Sequence, residues 1–242
     1  MASSDRPTIV FAPGAWHQPS CFDIVRDDLT SRGYETEAIA YPSVGAEPPN
    51  KGLADDAAAV RAALERLADQ GKQIVLVVHS YGGMVGGNAV ENLGYKQRAQ
   101  AGKQGGVVMF VYMAAFANPK GLSGDLGKES GYVSLGNMDV MYHDVEPELR
   151  KKISADVRHQ SSPVFSGAAT YEPWKEIDCT YLFCEDDVAI PIAFQEQAAS
   201  QFPPSTLKIR LKASHSPYLS KPKETVDALI EATKVGQERV GA

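Results

Sequence analysis

Serine, histidine and clustered carboxylates stand at three points of this 242-residue chain where an apolar run gives way to a turn. His79-Ser80-Tyr81-Gly82-Gly83 closes the run Gln73–His79. Glu185-Asp186-Asp187 follows Cys179–Cys184, and Ala213-Ser214-His215-Ser216-Pro217 follows Thr206–Leu211. A serine hydroxyl is a weak nucleophile until a base takes its proton, and an imidazole base works best when a carboxylate fixes its tautomer. Together these groups point to acyl transfer. A serine in a tight strand-to-helix turn sits in strained backbone geometry, which requires small neighbours two residues to either side. Gly82 and Gly83 meet that need, whereas Val78 stands where a glycine is expected. The hydroxyl then faces a helix N-terminus, where the Tyr81 amide and the helix dipole can stabilise an oxyanion.

A second oxyanion donor should come from a turn after an early strand. Thr8–Ala12 leads into Pro13-Gly14-Ala15-Trp16-His17, where glycine allows close backbone approach and Ala15 N–H is the candidate. The chain holds five histidines. His79 adjoins the serine, so their side chains diverge; His143 and His159 fall in a later insertion and read as surface or packing residues. His215 is the candidate base. Residue types alone leave the three carboxylates Glu185, Asp186 and Asp187 open as its partner.

These groups need a scaffold that brings strand ends together. Apolar, β-branched runs at Thr8–Ala12, Gln73–His79, Val107–Met113, Cys179–Cys184 and Thr206–Leu211, with a weaker one at Glu35–Ala40, suit parallel strands buried on both faces. Between them, Ser20–Arg32, Leu53–Gln70, Met84–Gln100, Ile192–Gln201 and Lys221–Gly236 carry helical spacing. Alternation of this kind predicts an open parallel sheet of about six strands with helices on both faces, and ligands at the carboxyl ends of the strands. The interval 117–174 is too long for a simple crossover. It opens on Gly121, Gly124, Gly127 and Gly131 and holds a predicted helix at Glu146–Val157 with Asp144 as its cap. It is expected to form a helical cap over a core made of 1–116 and 175–242.

Hydrophobic residues make up 43% of the chain, enough for a sizeable core and too many for a disordered segment. The net charge of −6 argues against a nucleic-acid partner, and no apolar stretch reaches the ~18 residues of a membrane span. The opening Met1-Ala2-Ser3-Ser4-Asp5-Arg6-Pro7 lacks the apolar run of a signal peptide. Three cysteines make no disulfide framework or zinc pattern, and buried thiols in a reducing compartment are expected. A cytoplasmic protein follows as the expectation, with a small-molecule substrate, no membrane partner and a homodimer left open.

The chain resembles the α/β-hydrolase superfamily, and within it the branch of methylesterases and hydroxynitrile lyases with their fungal and bacterial esterase relatives. The resemblance runs nearly end to end. It rests on the Gly14-Ala15-Trp16-His17 turn, the His79-Ser80-Tyr81-Gly82-Gly83 elbow and Tyr171-Glu172-Pro173-Trp174 before Cys179-Thr180-Tyr181-Leu182. It continues through Asp187-Val188-Ala189-Ile190-Pro191 with Gln195 and ends at His215-Ser216-Pro217. It implies an acid four residues before Pro191, which selects Asp187, and it implies no metal and no cofactor. The order Ser80, Asp187, His215 is the one this fold uses. Two positions depart from the pattern: Pro13 replaces the histidine of the oxyanion turn, and Val78 the elbow glycine. The expected activity is hydrolysis of a small, largely apolar carboxylic ester or lactone. Gly14, Trp16, Tyr142 and Phe165 are candidates for the substrate pocket. The alternatives are a lyase using the same triad, for which Lys212 is the candidate anion stabiliser, and a ligand-binding receptor with little turnover.

Overall fold

The computed structural model describes residues 6–123 and 131–241. Gly124 and Gly127 of the glycine-rich stretch, and Met1–Asp5 at the chain start, lie outside the described residues. Six strands, β1 (Thr8–Ala12), β2 (Thr36–Ala38), β3 (Gln73–His79), β4 (Gly106–Met113), β7 (Cys179–Cys184) and β8 (Leu207–Leu211), form a parallel sheet in the order β2-β1-β3-β4-β7-β8. The four central strands are buried almost throughout, as their unbroken apolar runs require. At the edge, β8 alternates half-buried Leu207, Ile209 and Leu211 with exposed Lys208 and Arg210.

Side chains divide by strand period into two cores. Val10, Leu76, Val78, Phe110, Tyr112, Cys179 and Tyr181 face one side. There they meet α2 (Leu53–Asp69) and α3 (Gly82–Ala89). Ile9, Phe11, Val75, Val77, Val111, Leu182 and Cys184 face the other. That face packs on α1 (Asp23–Ser31) and α9 (Pro222–Gly241). Cys179 and Cys184 thus point to opposite faces, and all three cysteines are buried and free.

Two expectations about helices need correction. Met84–Gln100 is not one helix: α3 ends at Ala89, and α4 spans Tyr95–Gln100. Asn92 between them has φ +64°, a left-handed conformation that interrupts the helical hydrogen bonds, and Val107 N–H bonds to Leu93 O so that the break docks on β4. The helix predicted at Glu146–Val157 spans Pro147–Asp156 (α6), and its cap is Glu146, whose carboxylate accepts from Leu149 N–H at 3.0 Å. Asp144 is spent elsewhere, as described below.

Between β4 and β7 the described residues hold short elements: β5 (Tyr132–Val133), α5 (Asp139–Tyr142), α6, β6 (Gln160–Ser161) and two 3-10 turns at Ser162–Phe165 and Pro173–Lys175. Strands β5 and β6 pair antiparallel through Tyr132–Ser161 and Val133–Gln160. No helix among the described residues is long and apolar enough to cross a membrane.

Candidate active site

Where β3 ends, Ser80 adopts φ +53°, a conformation that costs a non-glycine residue of order 1–3 kcal/mol and must be held by its surroundings. Ser80 O accepts from Gly83 N–H at 3.0 Å and Phe116 N–H at 3.1 Å, clamping the turn to the segment after β4. The trailing glycines are there for close approach: a Cβ at Gly82 would lie 2.4 Å from Ala12 O, and one at Gly83 2.0 Å from Phe116 O. Val78, the departure at the leading position, is accommodated by α3. A Cβ at Gly86 would lie 2.5 Å from Val78 Cγ1, so a glycine one turn into the helix makes the room that the usual elbow glycine would have made.

His215 follows β8 and Asp187 follows β7, and their side chains meet, with Nδ1 2.7 Å from Oδ2 and almost no exposure of either side chain. Asp187 is held on both oxygens. Oδ1 accepts from Ala189 N–H at 2.8 Å and Ile190 N–H at 2.9 Å, and Oδ2 also accepts from Gln195 Nε2 at 3.3 Å. A carboxylate is an acceptor only, so it fixes the imidazole with its proton on Nδ1 and leaves the Nε2 lone pair free. That Nε2 is buried and has no hydrogen-bond partner among the described residues. Glu185 and Asp186 are exposed, and Glu185 faces Arg210 at 3.7 Å. Of the three carboxylates left open by residue type, Asp187 is the one on the imidazole.

The His215 loop is fixed from two directions. His79 Nε2–H donates to His215 O at 2.8 Å, and the two rings lie 4.6 Å apart. Burial and the neighbouring His215 and His17 drive His79 well below the usual imidazole range, so it is a neutral donor. From the other side, Ser214 N–H donates to Asp144 Oδ2 at 2.8 Å. The two holders were legible only as separate residues, His79 as a neighbour of the serine and Asp144 as a helix cap.

The turn after β1 lies against the elbow. A Cβ at Gly14 would be 2.8 Å from His79 Nδ1 and 3.2 Å from Ser80 Cβ. Pro13, the second departure, still anchors the turn, because its carbonyl accepts from Tyr41 OH at 2.8 Å. The amides of Ala15 and Tyr81 donate to no group among the described residues. Trp16 is strained at φ +68° and held at three atoms: its N–H donates to Gln160 Oε1 at 2.9 Å, its indole Nε1 to Val133 O at 3.1 Å, and its carbonyl accepts from Arg158 N–H at 3.0 Å. His17 donates from Nδ1 to Ala15 O at 2.6 Å and meets Tyr142 OH through Nε2. Burial lowers it to about 4, so it too is neutral near pH 7.

Of the pocket candidates, Trp16 and Phe165 are half-buried with rings 5.9 Å apart, and Phe165 lies 5.8 Å from the Tyr81 ring. Tyr142 is fully buried on His17. His143 and Lys212 are exposed, and His159 lies 3.4 Å from Glu47. An apolar cleft of about 690 Å³, which no sequence pattern signalled, opens between the segments after β4 and β7 and is lined by Phe116, Leu122, Tyr181, Ile190 and Phe194. It abuts the elbow, since Phe116 N–H bonds Ser80 O and Ile190 N–H bonds Asp187. No cluster of metal-ligating side chains occurs among the described residues.

Known proteins share this arrangement of chain. Alpha/beta hydrolase nvfD of Aspergillus novofumigatus (strain IBT 16806) is 33% identical over 90% of this chain and 92% of its own length. Pyrethroid hydrolase of Sphingobium wenxiniae is 24% identical over 96% of this chain and 93% of its own. The solved structure of the methylesterase MES16 from Arabidopsis superposes with a TM-score of 0.75 at 19% identity, over 95% of this chain and 99% of that one, a likeness of fold. Residues 9–228 match the alpha/beta hydrolase family as a whole, and the chain belongs to that family.

Proposed function

We propose that the protein is a serine hydrolase of small, largely apolar carboxylic esters or lactones, with Ser80, His215 and Asp187 as its catalytic residues. The reading rests on one observation above the others. A buried imidazole has its Nδ1 tied to a carboxylate and its Nε2 unpartnered, on the strand edge that also carries a strained serine.

In this reading Ser80 Oγ attacks the ester carbonyl carbon as His215 Nε2 takes its proton. The carbonyl π electrons move onto oxygen, and the Ala15 and Tyr81 amides receive that oxyanion. Collapse of the tetrahedral intermediate breaks the ester C–O bond, and the leaving alkoxide takes the proton back from His215 Nε2. An acyl group then remains on Ser80. Water repeats the sequence: it gives a proton to His215, attacks the acyl carbon and leaves the carboxylic acid and a regenerated serine. Asp187 stays ionised and stabilises the imidazolium in both halves. Trp16 and Phe165, both half-buried, would present apolar surface to the substrate, beneath a lid formed by 117–174.

A relative named a pyrethroid hydrolase supports a hydrolytic reading, whereas Lys212, the anion stabiliser of the lyase alternative, is exposed. The test is turnover of p-nitrophenyl acetate and butyrate. The wild type should hydrolyse them, and Ser80→Ala should lower kcat by ~10³-fold or more, as loss of a triad nucleophile does elsewhere. Undiminished hydrolysis by that variant would overturn the assignment.

A further inference from the structure

One buried carboxylate on α2 is linked by hydrogen bonds to the Tyr81 side chain and to the backbone of Trp16, the residue after Ala15. Asp56 lies at a core position of that helix, on the stripe that includes Leu53, Ala57 and Val60, and is fully buried. Its Oδ2 accepts from Tyr81 OH at 2.8 Å and from Ser43 Oγ at 2.6 Å, and its Oδ1 accepts from Ser43 N–H at 3.0 Å. Because the Ser43 hydroxyl donates to Asp56, its oxygen is left to accept, and it does so from Gln160 Nε2 at 2.8 Å. That bond orients the Gln160 amide, placing Oε1 2.9 Å from Trp16 N–H. Ser43 and Gln160 are fully buried and Tyr81 nearly so. Tyr81 carries one candidate oxyanion amide, and Trp16 adjoins the other, Ala15.

We propose that Asp56, acting through Ser43 and Gln160, is a positioning residue for the oxyanion hole, setting the Tyr81 and Ala15 amides from a single charged anchor. The proposal deepens the hydrolase reading and rests on it. Its physical content is the direction of the chain of donors. An ionised carboxylate can only accept, so each group along the chain has one way to point: hydroxyl to carboxylate, amide NH₂ to hydroxyl, backbone N–H to amide oxygen. Neutralise the anchor, by a proton or by an amide, and it can donate. The Ser43 hydroxyl is then free to turn, and the strained Trp16 turn loses its fixed partner.

The site is also maintained against its own stability. Burial outweighs the bonds from Ser43 and Tyr81 and pushes Asp56 up to about 6, with the Asp55 carboxylate acting in the same direction. Tyr41 also faces it electrostatically, and the phenols of Tyr41 and Tyr81 are held neutral by burial and by Asp56 itself. A residue serving packing alone would gain from being neutral here. Retaining the carboxylate makes sense if directed hydrogen bonds are what it supplies.

The test compares the full-length wild type with Asp56→Asn, Ser43→Ala and Ser80→Ala. It reads kcat and KM for p-nitrophenyl butyrate between pH 5 and 8.5, and the rate of covalent labelling by a fluorophosphonate, whose phosphoryl oxygen uses the same amides. At pH 8, Asp56→Asn should lower kcat and labelling rate about ten-fold or more with KM within about two-fold. This is a fraction of the ~10²–10³ that outright loss of a donor costs. The ratio of wild-type to variant kcat should fall toward one as pH drops below about 6, where the wild-type carboxyl is itself neutral. Ser43→Ala, which keeps the charge and cuts the chain, should show a similar loss at pH 8 that likewise shrinks relative to wild type below about pH 6, and it answers the question if Asp56→Asn fails to fold. A kcat within two-fold of wild type at pH 8 in either folded variant, or a ratio flat across the pH range, would overturn the proposal. If instead Ser80→Ala retains activity, or the wild type neither turns over the ester nor is labelled, the hydrolase reading fails and the positioning role with it.

Discussion

At the scale of single residues, chemistry and spacing identified more than position in space did. Placement at the ends of apolar runs marked Ser80 and His215, whereas residue type left Glu185, Asp186 and Asp187 open and only the family resemblance selected Asp187. What separates them is burial and bonding: Asp187 accepts from Ala189, Ile190, Gln195 and His215, while its two neighbours face solvent. Asp187→Asn should therefore lower kcat by ~10³-fold or more through loss of the fixed tautomer. Asp186→Asn should leave it within about two-fold. Steady-state kinetics on one ester decides between them, and the reverse ranking would move the acid to Asp186. Gln160 and Asp56 escaped the sequence reading because amides and lone carboxylates have no spacing signature, and Gln195 entered it only as a motif residue without a role. Only Asp56 carried a usable signal, as a charge on the apolar stripe of α2.

Elements were legible where burial is complete and uncertain where it is partial. The bounds of β1, β3 and β7 coincide with their apolar runs because nothing polar interrupts a strand covered on both faces. The stretch 84–100 reads as one helix because its spacing is continuous, and the left-handed turn at Asn92 has no periodic trace. Val78 against Gly86 is a side-chain contact that couples elbow and helix. Gly86→Ala should overpack that contact and destabilise the fold by ~1–3 kcal/mol, as inserted methyl groups do in tight cores. In a Val78→Ala background the same change should cost clearly less. Urea denaturation of the four proteins of this double-mutant cycle checks it, and equal costs in both backgrounds would dissolve the coupling.

Across the whole molecule, five loops from β1, β3, β4, β7 and β8 converge on one edge of the sheet, and the alternation of strands and helices sufficed to place them there. The buried titratable groups at that edge give the fold an opposed response to acid. His17, lowered to about 4, and His79, driven well below the usual range, bind fewer protons folded than unfolded. Their contribution to stability is therefore lost as pH falls below about 6.5. Asp56, raised to about 6, binds more protons folded than unfolded. Stability gained from it as pH falls from 7 to 5 should be on the order of 1 kcal/mol and offsets part of the histidine loss. Asp56→Asn should consequently lose more stability than the wild type between pH 7 and 5 in urea denaturation, and an equal loss would contradict the assignment. The central claim, that Ser80 is a nucleophile activated by His215, is tested most directly by mass spectrometry of the protein after fluorophosphonate treatment. The expected result is a single adduct on the peptide containing Ser80, lost in His215→Ala. An adduct elsewhere, or one undiminished in that variant, would contradict it.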